Sequence, residues 1–268
     1  MVRCATCRLV YAFPPPRDRV RQKYETQYDL AEYFAPLEAR KATLYRTRLG
    51  WMPSPSAGRD RLCDVGCGNG QFLSMAAEGG WVVSGIEMNP PAARRVRERG
   101  FEVHAGVFEE LDDLPWGTFD VVTSWDSLEH TPDPRPFVER LGRLLRPGGI
   151  LALTTLNLPS LAWHLLGTRW SMVVEDHFTY WNRRSLAAIL ESQGFDIARV
   201  EIFGLGRDLV QWVSKVRRRS AGTPAAGGAA VAPWDTRPAV LRAEAWLNRV
   251  FTAAGGGVGI GVVARRVR

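Results

Sequence analysis

The sequence predicts an α/β fold built on a mainly parallel sheet, and three observations carry that expectation. Residues Arg61 to Leu73 read as a buried strand, a glycine turn and the start of a helix. Downstream, strand patterns near 60–65, 81–86, 101–104, 119–125 and 149–155 alternate with helical ones near 70–78, 90–99, 134–145 and 183–193. Such alternation buries a parallel sheet under helices on both faces. The chain closes on a strand near 258–264, the place of an antiparallel edge. In open sheets of this kind ligands sit at the carboxyl ends of the strands, where Asp64, Glu87 and Trp125 fall.

With 268 residues, 46% of them hydrophobic, the chain can bury one sizeable core, and one domain is expected. No apolar run approaches the roughly 20 residues that span a bilayer, and the N-terminus carries no signal-peptide core, so a cytoplasmic protein without a transmembrane segment is expected. The net charge is +7. Only Lys23, Lys41 and Lys215 are lysine, and the arginines are spread along the chain, so no nucleic-acid partner is expected. Cys63 and Cys67 read as small buried residues rather than as a disulfide.

Residues 17–58 read as an N-terminal helical cap. From Asp18 to about Leu49 the pattern is helical and carries Tyr24, Tyr28, Tyr33, Phe34 and Tyr45, which are expected to pack on the sheet; Pro53 and Pro55 mark the linker that follows. At the turn after the first strand, Gly66, Gly68 and Gly70 remove the Cβ atoms that would hold a ligand off the backbone, and the helix beyond offers unpaired N–H groups. A dinucleotide fingerprint needs glycine where Gln71 stands, and Asp64 suits a cation better than a phosphate. Asp64-Val65-Gly66-Cys67-Gly68-Asn69-Gly70 resembles motif I of the class I S-adenosylmethionine (SAM)-dependent methyltransferases. The resemblance implies SAM as cofactor and a Rossmann-like, seven-stranded sheet with an antiparallel last strand. It also implies contacts from Asp64, Gly66, Cys67, Gly68 and Gly70, with Glu87 accepting the ribose hydroxyls and Met88 beside it.

Asn89-Pro90-Pro91 resembles the tetrad of amino-methylating enzymes, but it follows the second strand rather than the fourth and lacks the aromatic, since Ala92 comes next. Asn89 is expected instead as a helix N-cap with Pro90 in the first turn. Where the family often has Gly-Asp-Ala the chain reads Gly106-Val107-Phe108, so adenine is expected against Val107 and Phe108. Phe119 to Pro134, with Asp126-Ser127-Leu128-Glu129-His130, resembles the fourth strand and following loop of the quinone O-methyltransferases, and Arg146-Pro147-Gly148-Gly149 the turn into the fifth strand. Trp125 is expected to face the cofactor. In those relatives the acid-x-x-Glu-His residues are associated with a divalent cation near the acceptor. Three readings stay open: a cation that orients an acceptor hydroxyl, His130 as a metal-free general base, or Glu129 and His130 bracing the loop. No metal is assigned.

Residues 157–181 are dense in aromatics and read as a lid over an apolar or ring-shaped acceptor, with His177 as a reserve base. Together 59–204 form the catalytic core. The tail, 205–268, reads as two helices around a disordered linker at 221–233 and a final strand. At the other end, residues 1–16 with Cys4 and Cys7 resemble the second half of a zinc ribbon found before some sugar and natural-product methyltransferases. Two cysteines supply half the ligands of a structural zinc, so zinc-free thiols are expected. The sequence therefore reads as a SAM-dependent methyltransferase of a small-molecule acceptor, either a hydroxylated ring, a sugar or a natural-product intermediate, with Asp126, Glu129, His130 and His177 as candidate catalytic residues. The alternatives are a nicotinamide-dependent oxidoreductase and a non-catalytic SAM-binding partner protein; a homodimer is left open.

Overall fold

The computed structural model describes residues 1–26, 38–56, 59–204 and 256–267. Strands β3 (Arg61–Val65), β4 (Val82–Glu87), β5 (Glu102–Ala105), β6 (Phe119–Trp125), β7 (Leu145–Leu156), β9 (Phe195–Phe203) and β10 (Gly259–Arg266) form one sheet in the order β5-β4-β3-β6-β7-β10-β9. The first five run parallel, while β10 lies antiparallel to both β7 and β9. This is the expected seven-stranded fold. The strand order reverses beside β3, between β4 and β6, and there the connections leave toward opposite faces and open a crevice. Strand β9 was not among the segments singled out by pattern, because its side chains alternate weakly and stay half-exposed at the sheet edge.

Helices α1 (Arg17–Thr26), α2 (Glu38–Leu49), α3 (Gln71–Glu78), α4 (Pro90–Glu98), α5 (Pro134–Leu144), α6 (Leu161–Leu166) and α7 (Arg183–Ser192) surround the sheet. One face buries Val65, Val122, Leu141, Leu153, Leu186 and Ile260; the other packs Leu62, Phe72, Val121 and Ala152 under Tyr45 of α2. Asn89 caps α4 as expected, its Oδ1 accepting from the Ala92 N–H at 2.9 Å with Pro90 in the first turn. Cys63 and Cys67 are buried free thiols.

The N-terminal segment is tied down by the aromatic loop. Strands β1 (Val2–Arg3) and β2 (Val10–Tyr11) form a hairpin around Cys4 and Cys7, and β2 pairs with β8 (Thr179–Tyr180) in a separate three-stranded sheet. Residues 157–181 pack on this hairpin, with Trp170, Tyr180 and Trp181 each about 1% exposed. A backbone bond from Leu158 N to Trp181 O closes the loop on itself, and one from Phe178 N to Glu129 O ties it to the segment after β6, both at 2.7 Å. The expected tail helices and the linker at 221–233 lie outside the described residues, and no helix among the described residues is long and apolar enough to cross a membrane.

Candidate active site

The crevice is built first from the β3–α3 turn. Gly66, Gly68 and Gly70 hold φ of +80°, +55° and +75°, a backbone region that L side chains rarely adopt. A Cβ on Gly66 would lie 2.3 Å from Ser127 Oγ, so Gly66 is also where the turn touches the rim of β6. Cys67, Gly68 and Gly70 are buried while Gly66 stays exposed, and α3 begins at Gln71 with no side-chain cap.

Two carboxylates lie under this turn. Asp64 is 2% exposed and accepts from Thr123 Oγ1 at 2.7 Å; burial pushes its carboxyl up to about 7. Glu87 is 5% exposed, and its two oxygens accept from Gly68 N and Asn89 N, each at 2.8 Å. Burial raises Glu87 as well, against those backbone bonds. Each carboxylate oxygen retains a second lone pair, so this pair of acids favours a cationic, hydroxyl-bearing ligand.

The expected adenine contacts separate. Val107 is half-exposed at the end of β5, whereas Phe108 is buried edge-on against Phe137, 5.3 Å between centroids, in the main core. Met88 is half-buried beside Glu87. Trp125 packs edge-on against Phe72 and Trp51 beneath the Arg48 guanidinium, which sits 5.0 Å over its ring; its buried Nε1 has no partner among the described residues.

Arg48 is a residue that motif reading missed. It is 4% exposed, flanked by the Tyr45, Trp125 and Phe203 rings, and it pairs with Asp126 Oδ2 at 3.4 Å. Lys41, Tyr45 and Arg48 share one stripe of α2, and that spacing was the signal available in the sequence. Burial lowers the Lys41 ammonium, opposed by the charge of Asp126.

The second half of the site sits past β6. Asp126 takes φ +54°, and its side chain is 44% exposed at the end of β6, next to Ser127, which a Cβ on Gly66 would strike. Its Oδ1 accepts from Thr154 Oγ1 at 2.6 Å. Burial acts to raise its pKa, but the Arg48 charge and the Thr154 bond outweigh it and hold Asp126 below the usual carboxylate range. Glu129 is 2% exposed and accepts from Thr155 Oγ1 at 2.8 Å; burial and the neighbouring Asp126 charge push it up to about 8. His130 and His177 face each other at 4.7 Å between ring centroids. His130 Nδ1 meets the Asp176 carbonyl at 2.9 Å, and His177 Nδ1 meets the Met172 carbonyl at 2.7 Å. A carbonyl can only accept, so each ring carries its proton on Nδ1 and keeps its Nε2 lone pair. Burial, then the neighbouring His177, lowers His130 to about 4, and burial lowers His177 too. Tyr24 of α1 closes the network, its hydroxyl 3.2 Å from Asp176 Oδ2 and 3.3 Å from His130 Nδ1.

All four candidate catalytic residues therefore share one end of the sheet, but the cluster that can share a ligand is Glu129, His130 and His177. The family model described as "Methyltransferase domain" matches residues 21–200, more than half of the chain. The chain belongs to this methyltransferase family. The ubiquinone biosynthesis O-methyltransferase of Erwinia tasmaniensis is 33% identical over 144 residues, 51% of this chain and 58% of that protein. The Xanthomonas oryzae enzyme of the same name is 38% identical over 111 residues, 39% and 46% of the two chains. The chain thus spans about half the length of these curated relatives. Among solved structures, the methyltransferase of a Haloferax volcanii complex with the activator Trm112 superposes with a TM-score of 0.62 at 19% identity, covering 91% of this chain and all of that one. Haemonchus contortus phosphoethanolamine N-methyltransferase 2 with SAM gives 0.57 at 20%, covering 84% and 53%. The Rossmann-like methyltransferase fold expected from motif I is thereby established, and the nicotinamide alternative gains no support.

Proposed function

We propose that the protein transfers a methyl group from SAM to a hydroxyl of a small, ring-shaped acceptor. The observation that carries the reading is that one end of the sheet gathers two buried acids, Asp64 and Glu87, beside the glycine turn, and two unprotonated imidazoles, His130 and His177, past β6. The donor set fits SAM: Glu87 has lone pairs for the ribose hydroxyls and the first turn of α3 offers N–H groups. When bound, SAM supplies an electrophilic methyl on a sulfonium.

The chain's own residues then align the acceptor and take its proton. Glu129, pushed up to about 8, holds a proton at neutral pH and is not the resting base. His130 is unprotonated at that pH, and its Nε2 accepts the acceptor's proton while the Asp176 carbonyl fixes the ring. His177 occupies the opposite wall as a second acceptor. The curated O-methyltransferase relatives, named for ubiquinone biosynthesis, support an oxygen acceptor on a quinone-like ring. A cytoplasmic setting belongs to the same reading.

An acceptor panel of catechols, phenolic rings and sugars, screened with labelled SAM, tests this. Transfer to a phenolic oxygen is expected, with His130→Ala lowering kcat by roughly 10²–10⁴ at unchanged SAM affinity. Calorimetry showing no SAM binding sinks the whole reading; label appearing only on nitrogen or carbon sinks the oxygen acceptor.

A further inference from the structure

The N-terminal hairpin carries two thiols that neither the cofactor reading nor the acceptor reading uses. Between β1 and β2 the chain reverses through a turn over residues 5–7, closed by Cys4 N donating to Leu9 O at 2.8 Å and Arg8 N donating to Cys4 O at 3.1 Å. Arg8 takes φ +66°, the left-handed step that completes the reversal. Cys4 and Cys7 thus stand three positions apart across a tight turn, where Cα atoms lie under about 7 Å from one another, the span a disulfide bridges. Their side chains already meet, with the Cys7 thiol donating to Cys4 Sγ.

This turn is held from outside. Strand β2 pairs with β8, Ala12 N donates to Phe178 O at 2.8 Å, and Asn182 Nδ2, 174 positions from its partner, donates to Arg8 O at 3.1 Å. The two thiols are also unequal. Cys4 Sγ accepts from the amides of Cys7, Thr6 and Arg8, and these bonds hold its pKa below that of an ordinary thiol. Both thiols are half-exposed, Ala5 and Thr6 between them are exposed, and Arg3 and Arg8 on either side place positive charge at the turn. Cys63 and Cys67 are the opposite case, 1% and 6% exposed with their thiols raised by burial. Among the described residues no further His, Cys, Asp or Glu joins Cys4 and Cys7 in a group that could hold a metal.

We propose that Cys4 and Cys7 form a reversible dithiol–disulfide site that takes a low-molecular-weight disulfide as its oxidant, with Cys4 as the attacking sulfur and Cys7 as the resolving one. The Cys4 thiolate attacks one sulfur of the oxidant, whose S–S bond breaks and releases one thiolate, leaving a mixed disulfide on Cys4. Cys7 gives up its proton to solvent, attacks Cys4 Sγ and expels the second thiolate. The two protein thiols lose two electrons and two protons, and the oxidant leaves as two reduced thiols. An excess of reduced thiol runs the same steps backward.

Reduced full-length protein is exposed to oxidised glutathione as the probe, quenched by alkylation and read by mass spectrometry of the N-terminal peptide. A Cys4–Cys7 disulfide should form, with no glutathione retained, and should reopen in excess reduced glutathione. A lowered pKa supplies more thiolate but a weaker nucleophile. At about pH 6, Cys7→Ser should therefore take up glutathione on Cys4 at least about threefold faster than Cys4→Ser takes it up on Cys7. Serine at position 7 keeps a hydroxyl donor for Cys4 Sγ. That advantage should vanish in urea, because it comes from the amides of the folded turn. Protection of Cys63 and Cys67 from alkylation reports in each sample that the chain is folded. Equal rates in the two folded single variants, an advantage that persists in urea, or lasting addition of one glutathione to each thiol of the parent protein overturns the assignment. So does a purified protein in which a zinc ion holds Cys4 and Cys7 unreactive until a chelator is added.

Discussion

The two walls of the crevice are made in different ways. The wall proposed to hold the cofactor, the cofactor wall, is local: Asp64, Gly66, Gly68, Gly70 and Glu87 come from one strand–turn–helix–strand unit, and its key bond, Gly68 N to Glu87 Oε2, joins neighbouring parallel strands. The wall proposed to hold the acceptor, the acceptor wall, is assembled: Tyr24 of α1, Arg48 of α2, the loop after β6 and the 172–177 segment meet through tertiary packing. Backbone geometry dominates the first wall, and side-chain hydrogen bonds and burial dominate the second. Substitutions should therefore act on the first wall through folding and SAM affinity together, and on the second through turnover.

The largest effect is expected at the point where the walls touch. Gly66→Ala puts a Cβ 2.3 Å from Ser127 Oγ at φ +80°, so a loss of roughly 1–3 kcal/mol in stability is expected with SAM binding abolished. Thermal melts of Gly66→Ala and of Gly66→Ala/Ser127→Gly divide the cost. The double variant should recover the clash and leave the backbone strain. Full recovery would show that the turn is only crowded, which makes the first wall less rigid than its backbone implies.

Next comes Glu87→Ala, which removes a charged acceptor and orphans two buried amides. SAM affinity should fall by about 1.5–3 kcal/mol in calorimetry. An unchanged affinity would mean that the ribose is not held at the end of β4, and would move the cofactor toward Arg48 on the other wall.

This division also explains what was legible in the sequence. The glycine spacing, the acid at the end of β4 and the Asn89 cap are short-range patterns with direct backbone consequences, and each stands where the pattern put it. The Glu129–His130 pair was visible as a motif, but its geometry depends on Asp126 turning to Arg48, a residue separated from it by 78 positions. No local rule links the two. The contact of Phe108 with Phe137 was not legible, because it depends on a short 3₁₀ turn from Phe108 to Glu110 and a partner on another helix. The hairpin around Cys4 and Cys7 was not legible because its partner strand, β8, lies far along the chain.

Asp64 offers a pH test confined to the cofactor wall. Its carboxyl is raised from 3.8 to about 7 by burial, so between those values the folded chain keeps a proton that the unfolded chain releases. Stability of the ligand-free protein should therefore fall as pH rises from about 4 to about 7, by up to one proton's worth of slope. Asp64→Asn, which can keep the Thr123 bond, should remove that one proton's share of the slope in denaturant titrations and leave the shares of the raised Glu87 and Glu129. An equally steep fall in Asp64→Asn would move the titration to another group. SAM should oppose the fall in the parent protein, because a cationic ligand favours the ionised carboxylate.

The smallest expected effect separates positioning from packing on the acceptor wall. Tyr24→Phe keeps the ring that meets His130 edge-on at 6.0 Å and removes only the hydroxyl shared between Asp176 and His130. Such a bond contributes about 0.5–1.5 kcal/mol net, so the melting transition should move by a few degrees at most. The Asp176 carbonyl still holds Nδ1–H, so the tautomer survives and kcat should drop only several-fold. SAM affinity should not move, since the hydroxyl contacts neither acid of the other wall. If Tyr24→Phe instead weakened SAM as much as Glu87→Ala does, the two walls would be coupled through α1. The Asn89 side chain, which donates to the Tyr24 carbonyl at 2.7 Å from the cap of α4, would be the link to examine.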